Sequence, residues 1–285
     1  MPTATLFDHR VHYLDEGTGD DPVVLIHAVP LDSAMWEPQI RALGGRCRMI
    51  APDLVGFGDS DAHADPEDYS VEAWADDVIG LIGALGLERV TLVGASGGAD
   101  VALAVVRRGR DVVGALGLAG LRRPPSPDET AQYLEDLSWL AGGGDLGSII
   151  DRVVDDIAGR NSSRRSEVVK LARMMMERTP REGWVGGLDA MCRRPDPAPD
   201  LDKIDVPTLF LVGEQDVLAP PNDVRALAAG APGSGVIAIP DAGHLPNLEN
   251  PALFNRALED LLEGREARRA TGKHAWPASP AGQST

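Results

Sequence analysis

The sequence predicts an α/β fold: a mostly parallel sheet wrapped by helices on both faces, with a block of helices inserted late in the alternation. Three observations predict it. Val23–Ile26 is apolar at every position, and Val90–Val93 and Val206–Val212 are runs of mostly apolar and β-branched residues, the pattern of strands covered on both sides. Helix-like segments alternate with them, as parallel βαβ units require. From Leu121 to Asp200 that alternation stops and helical patterns follow one another.

In chain order, Thr3–Phe7 and Val11–Asp15 read as two short strands joined through Asp8-His9-Arg10, with His9 and His12 on the surface. Pro22 introduces the strand Val23–Ile26, the loop His27 to Asp32 follows, and a helix is expected from about Met35 to Leu43. Arg48–Ala51 is the next strand, ending in Pro52 to Ser60. The loop beyond carries Asp59, Asp61, Asp65, Glu67 and Asp68 around His63. Hard cations take carboxylate oxygens, but no EF-hand spacing is present, so a solvated loop without metal is expected. Val71, Trp74, Val78, Leu81, Ile82 and Leu85 recur at helical spacing until Gly86, giving an amphipathic helix with Trp74 in the core.

Val90 to Asp100, VTLVGASGGAD, is the most informative stretch. It places Gly94-Ala95-Ser96-Gly97-Gly98 between a buried strand and a helix, the G-x-S-x-G pattern in the context that lifts a serine hydroxyl clear of a sheet. Glycines are needed because flanking side chains would collide with the neighbouring strand or helix at so tight a turn. Phosphate binding is the rival reading of a glycine-rich turn, but no Lys-Ser or Lys-Thr follows and the spacing is not G-x-G-x-x-G. Ser96 is therefore the candidate nucleophile.

A strand from Val112 to Leu118 precedes four helical segments, Pro127–Leu140, Leu146–Ala158, Arg165–Arg178 and Glu182–Cys192. They are expected to cap the carboxyl ends of the strands, where ligands bind in such sheets, with hinges at the proline-rich borders Pro124–Pro127 and Pro195–Pro199. Trp139, Met175, Met176 and Trp184 are apolar residues that such a cap presents to a substrate. Strands resume at Val206–Val212 and Val236–Ile239, and a helix bearing Leu253, Phe254, Leu258, Leu261 and Leu262 closes the domain. The expected division is a core of residues 1–120 and 200–264, a cap over 121–199, and a disordered tail over 265–285 that contains His274 and Trp276.

Composition narrows the class. With 43% hydrophobic and 25% charged residues the chain reads as an ordinary globular protein. A net charge of −17 disfavours nucleic acid and anionic membrane as partners. No apolar run is long enough to span a bilayer and the first residues lack a leader pattern, so a cytoplasmic location is expected. Cys47 and Cys192 lie in unrelated segments without ligand spacing and read as packing residues. Self-association is left open.

A serine needs a base, and the base needs a third group to fix its tautomer. His244 and Asp216 each lie just past a strand, on the same sheet edge as Ser96, and the order serine, acid, histidine is the one this motif uses. Glu214 and Asp241 are rival acids in the same turns; Asp216 is favoured because it lies deeper into its loop. The oxyanion formed on attack needs two N–H donors, for which Gly97 and Val29 are the candidates, Pro30 having no N–H. His27 reads as a structural histidine bonded to its loop, with pocket lining as a second role.

Taken together, HAVPLDSAMW (27–36), DLVGFGDS (53–60), GASGG (94–98), GEQD (213–216) and GHLPNLENP (243–251) resemble the lidded α/β-hydrolases, the group containing carboxylesterases, enol-lactonases and cofactor-free haloperoxidases. The similarity runs from about Val11 to Leu262 and is weakest in the insertion. It implies an ester or lactone hydrolase using Ser96, His244 and Asp216 without a cofactor, with perhydrolysis or carbon–carbon bond cleavage as alternatives. A ligand-binding protein that has lost turnover is the rival of another class. Serine at position 96 argues against the aspartate chemistry of the related dehalogenases and epoxide hydrolases. One residue departs from the pattern: Ala28 stands where the family usually has glycine, which would strain the oxyanion loop if that backbone needs a positive φ.

Overall fold

A computed structural model describes residues 2–271. Its eight strands are β1 (Thr3–Leu6), β2 (His9–Glu16), β3 (Val23–Ile26), β4 (Met49–Pro52), β5 (Val90–Ala95), β6 (Val113–Ala119), β7 (Thr208–Gly213) and β8 (Gly235–Ile239). They form one sheet in the order β1-β2-β4-β3-β5-β6-β7-β8. β1 and β2 pair antiparallel, β2 runs antiparallel to β4, and every later neighbour is parallel. The chain passes from β3 outward to β4 and then returns to β5 on the other side of β3. The carboxyl ends of β3 and β5 thus flank the point where strand order reverses, where open α/β sheets bind ligands.

The helices are α1 (Glu37–Leu43), α2 (Val71–Ala84), α3 (Gly97–Arg108), α4 (Pro127–Ala141), α5 (Gly147–Ile157), α6 (Arg165–Arg178), α7 (Arg181–Cys192), α8 (Ala198–Leu201), α9 (Pro221–Ala228), α10 (Pro246–Glu249) and α11 (Pro251–Thr271). Alternation along the buried strands divides the core. Val24, Ile26, Leu92, Phe210 and Val212 pack with α2, α3 and α9 on one face. Val23, Leu25, Val93, Leu209 and Leu211 pack with α1 and α11 on the other. Helices α4 to α7 lie between β6 and β7; Ser126 begins α4 with a reciprocal capping box to Glu129.

Several expectations are corrected. The first hairpin turns at Phe7-Asp8, both with positive φ, rather than through Asp8-His9-Arg10. His12 is buried, its Nδ1 2.6 Å from Asp53 Oδ2, and His9 Nε2 lies 2.8 Å from Asp77 Oδ1, so neither is a free surface histidine. The helix expected from Met35 begins as a 3-10 turn over Ser33–Trp36, capped by the Asp32 carboxylate on Ala34 N–H at 2.9 Å. The tail does not begin at 265. α11 runs to Thr271, and Arg265 is buried, its guanidinium donating to Thr91 Oγ1 at 3.0 Å and Arg89 O at 2.8 Å. His274 and Trp276 lie outside the described residues. Helices α8, α9 and α10, with four, eight and four residues, were not legible because each is too short for a clear 3.6-residue stripe.

Candidate active site

Ser96 follows β5 directly and precedes the first residue of α3. Its φ of 51° and ψ of −122° are a strained conformation for a residue with a Cβ. Two glycines make the turn feasible. A Cβ on Gly94 would stand 2.1 Å from Gly98 O, and one on Gly98 would stand 2.4 Å from Ile26 O, so α3 can approach the sheet only with both in place.

The loops after β7 and β8 bring the other two groups to Ser96. His244 Nε2 lies 2.8 Å from Ser96 Oγ, and His244 Nδ1 lies 2.8 Å from Asp216 Oδ2. An ionised carboxylate only accepts, so Nδ1–H donates to Asp216 and Nε2 is left to accept from the serine hydroxyl. Asp216 is buried, and its Oδ1 accepts from Leu218 N–H at 2.9 Å and Ala219 N–H at 2.8 Å. Gly120, at φ +60°, sits against the imidazole; a Cβ there would be 3.0 Å from His244 Cε1. The rival acids lie elsewhere. Glu214 is exposed, and the Asp241 carboxylate accepts from Ser163 N–H at 3.0 Å and from the Ser163 hydroxyl.

The His244 loop is fastened by Glu249, whose role no spacing in the sequence marks. Buried Glu249 accepts from Gly243 N–H at 2.8 Å with Oε1 and from Gly159 N–H at 2.8 Å with Oε2, while His244 N–H donates to Ile157 O at 3.0 Å. Burial pushes the Glu249 carboxyl up, and these backbone donors pull against that rise.

A cavity of about 200 Å³ opens on Ser96 and His244 between the sheet and the helical insertion. Val29 and Gly97 line it, and among the described residues neither N–H has a hydrogen-bond partner. Ala28 is not among the described non-glycine residues with positive φ, so the alanine introduces no left-handed strain. Its backbone is fixed on both sides: N–H donates to Met35 Sδ at 3.2 Å, and O accepts from Leu31 N–H at 2.7 Å.

Of the proposed pocket residues, Met176 and Trp184 line the cavity; His27, Met175 and Trp139 do not. His27 is fully buried behind the loop, with Nδ1–H donating to Ala28 O at 3.0 Å and Nε2 accepting from Leu54 N–H at 2.9 Å. Burial holds its basicity below the usual histidine value, so it is a neutral brace. Met175, next to Met176 on a helix, is turned into the core. Trp139 is 53% exposed, its indole N–H donating to Asp145 O at 2.9 Å.

The acids around His63 disperse rather than converge. Asp59 faces Arg178, Asp61 faces Arg10, and Asp65 caps the turn Pro66–Asp68. His12, Asp53 and Asp59 do approach one another within 4.8 Å, but the Asp53 oxygens already accept from Ser33 N–H at 2.7 Å and Asp59 N–H at 2.9 Å, which ties two loops together.

A mostly parallel sheet with a serine at its strand-to-helix turn, an imidazole on the hydroxyl and a carboxylate behind the imidazole defines a hydrolase of the α/β architecture. Residues 23–257 match the family model described as alpha/beta hydrolase family, and the chain belongs to that family. Among solved structures it is similar to a thermophilic esterase from Thermogutta terrifontis, with 34% identity, 93% of this chain and 98% of that one covered, and a TM-score of 0.86. It is also similar to the enol-lactonase from Burkholderia xenovorans LB400, with 26% identity, 92% and 100% coverage, and a TM-score of 0.83. A 2-hydroxymuconate semialdehyde hydrolase of Pseudomonas sp. strain CF600 is 27% identical over 90% of this chain and 92% of its own length. Among the described residues no helix is long and apolar enough to cross a membrane.

Proposed function

We propose that the protein hydrolyses a carboxylic ester or lactone of a small molecule through an acyl-enzyme, with Ser96, His244 and Asp216 as its catalytic residues. The observation that carries this reading is the unbroken chain of contacts from Asp216 through His244 to Ser96 at the mouth of a cavity. Ser96 attacks the carbonyl carbon as its proton passes to His244 Nε2. The Val29 and Gly97 N–H groups receive the oxyanion, and Asp216 stabilises the imidazolium. His244 then returns the proton to the leaving alkoxide. A water deprotonated by the same imidazole attacks the acyl-enzyme, and the acid leaves as Ser96 regains its proton. The insertion acts as a cap that supplies Met176 and Trp184 to the acyl or alcohol group.

The 2-hydroxymuconate semialdehyde hydrolase among the relatives supports carbon–carbon bond hydrolysis as the second reading. The test is hydrolysis of short p-nitrophenyl esters by wild type and Ser96→Ala, with labelling by a fluorophosphonate. A drop on the order of 10⁴-fold or more and loss of labelling are expected. Unchanged ester turnover in Ser96→Ala rejects the mechanism, and labelling of Ser96 without turnover of any ester or lactone rejects the substrate class.

A further inference from the structure

Asp100 lies one helical turn beyond Ser96 on α3 and lines the same cavity. It is 5% exposed, yet among the described residues no N–H or O–H donates to its carboxyl group. Its nearest cation, Arg194 Nε, stands 3.9 Å away, beyond hydrogen-bond reach. Arg194 cannot turn further toward it, because its other nitrogens donate to Met191 O at 2.9 Å and Arg123 O at 2.7 Å. The cavity thus contains a buried acceptor that the protein itself leaves without a donor, an arrangement that costs free energy until something supplies one.

The remaining charges decide what can supply it. Arg122 donates to Leu218 O at 2.8 Å and to Glu129, and Arg152 donates to Asp136, so each guanidinium on the wall already faces a carbonyl or carboxylate. An incoming carboxylate would lie beside Asp100 and Asp156, and the nearest guanidinium, Arg194, offers it only the Nε–H that already faces Asp100. An incoming ammonium would be attracted by Asp100 and Asp156 but would lie against Arg194, whose Nε stands 3.9 Å from the same Asp100 carboxylate. A hydroxyl meets neither repulsion, and it suits Asp100 in both protonation states. Burial pushes that carboxyl up to about 7, so near neutral pH it passes between accepting and donating, and a hydroxyl can answer either.

We infer that the substrate carries a hydroxyl on the part that does not react, that Asp100 receives this hydroxyl, and that Asp100 thereby sets the specificity of the site. The inference rests on the reading of Ser96 as an activated nucleophile. It predicts discrimination against substrates bearing a second carboxylate.

Alkyl fluorophosphonates of graded chain length with a plain, an ω-hydroxyl or an ω-carboxylate tail test this without requiring turnover, because the rate of Ser96 labelling reads how well each tail is received. At the best chain length the hydroxyl probe should label wild type on the order of tenfold faster than the plain probe, with the carboxylate probe slowest. In Asp100→Leu the ratio of hydroxyl to plain labelling should fall to about one, and in Asp100→Asn, which still accepts and donates, part of it should survive. Equal labelling of wild type by the hydroxyl and plain probes at every length, or fastest labelling by the carboxylate probe, overturns the inference alone. No labelling by any probe overturns the reading of Ser96 and this inference with it. The wild-type comparison decides whether or not Asp100→Leu folds.

Discussion

Replacing Asp100 with asparagine should make the protein more stable at alkaline pH and leave it almost unchanged in acid. Burial is the main force on this carboxyl, raising it from 3.8 to about 7 against the pull of Arg194, Arg122 and Arg107, with Glu72 adding to the rise. A group whose value is higher in the folded protein than in the unfolded chain gives stability that is complete below the unfolded value. That stability is lost as pH rises through the folded one. Each pH unit between the two withdraws about 1.4 kcal/mol, so on the order of 4 kcal/mol is gone above neutrality. The first turn of α3 offsets about 0.3–1 kcal/mol of this, because a helix N-terminus favours a negative charge. Asparagine keeps the shape and never ionises. Urea midpoints of both proteins, followed by tryptophan fluorescence across about pH 4 to pH 8, should diverge progressively in favour of the variant. A difference flat to within about 1 kcal/mol over that range would show that the Asp100 carboxyl is solvated or partnered, and the account of the cavity would fail with it.

Four further outcomes are expected. Asp216→Asn keeps the shape but disturbs the tautomer at His244, and should lower kcat for a p-nitrophenyl ester on the order of 10⁴-fold; a loss under tenfold would point to another acid. Gly120→Ala forces a side chain into a backbone at φ +60° and against the imidazole, and should cost about 1–2 kcal/mol in stability as well as turnover, read by thermal unfolding and kcat. Glu249→Ala removes the acceptor of the Gly159 and Gly243 N–H groups and should destabilise by about 2–4 kcal/mol in urea titration. Ala28→Gly should bring no gain in kcat, since no positive φ has to be relieved, and should cost about 0.4–1 kcal/mol through the looser unfolded chain; a large rise in kcat would show that the oxyanion loop is strained after all.

Legibility from sequence followed the length and regularity of each signal. The strands β3, β5 and β7 and the helices α4 to α7 could be read because a buried run or an amphipathic stripe repeats over enough residues to exclude the alternative period. Ser96, Asp216 and His244 could be placed on one edge because strand ends of a parallel sheet share it, whatever the separation along the chain. What escaped depends on contacts between distant segments. The burial of His12 depends on the pairing of its strand with β4 and on Asp53, forty-one residues away. Glu249 was invisible in its role because its partners, Gly159 and Gly243, contribute only backbone. Asp100 did leave a signal, a carboxylate four residues after the nucleophile on a helix without another charge until Arg107; four residues along a helix is the same face.

The insertion is not free to lift as one piece. At the corner between α5 and α6, Ile157 accepts from His244 N–H and Gly159 donates to Glu249, and Gly243 lies so close that a Cβ on it would stand 2.3 Å from Gly159 N. Raising that corner would therefore carry the imidazole away from Ser96. At α7 a second close approach occurs, where a Cβ on Gly183 would stand 1.9 Å from Gly56 O, so this helix is seated on the loop after β4. α4 presents a different surface, with Leu134 56% and Trp139 53% exposed and its start held to the core side by Arg122 on Glu129. α4 and the glycine turn Gly142–Gly144 are tied as well, Arg181 donating to Leu140 O at 2.8 Å and to Gly144 O at 2.7 Å and Arg152 to Asp136, but lifting them would break those bonds without moving His244 from Ser96. The same movement would uncover the Asp100 end of the cavity, because Glu129, Gln132, Tyr133 and Asp136 of α4 form part of the wall there.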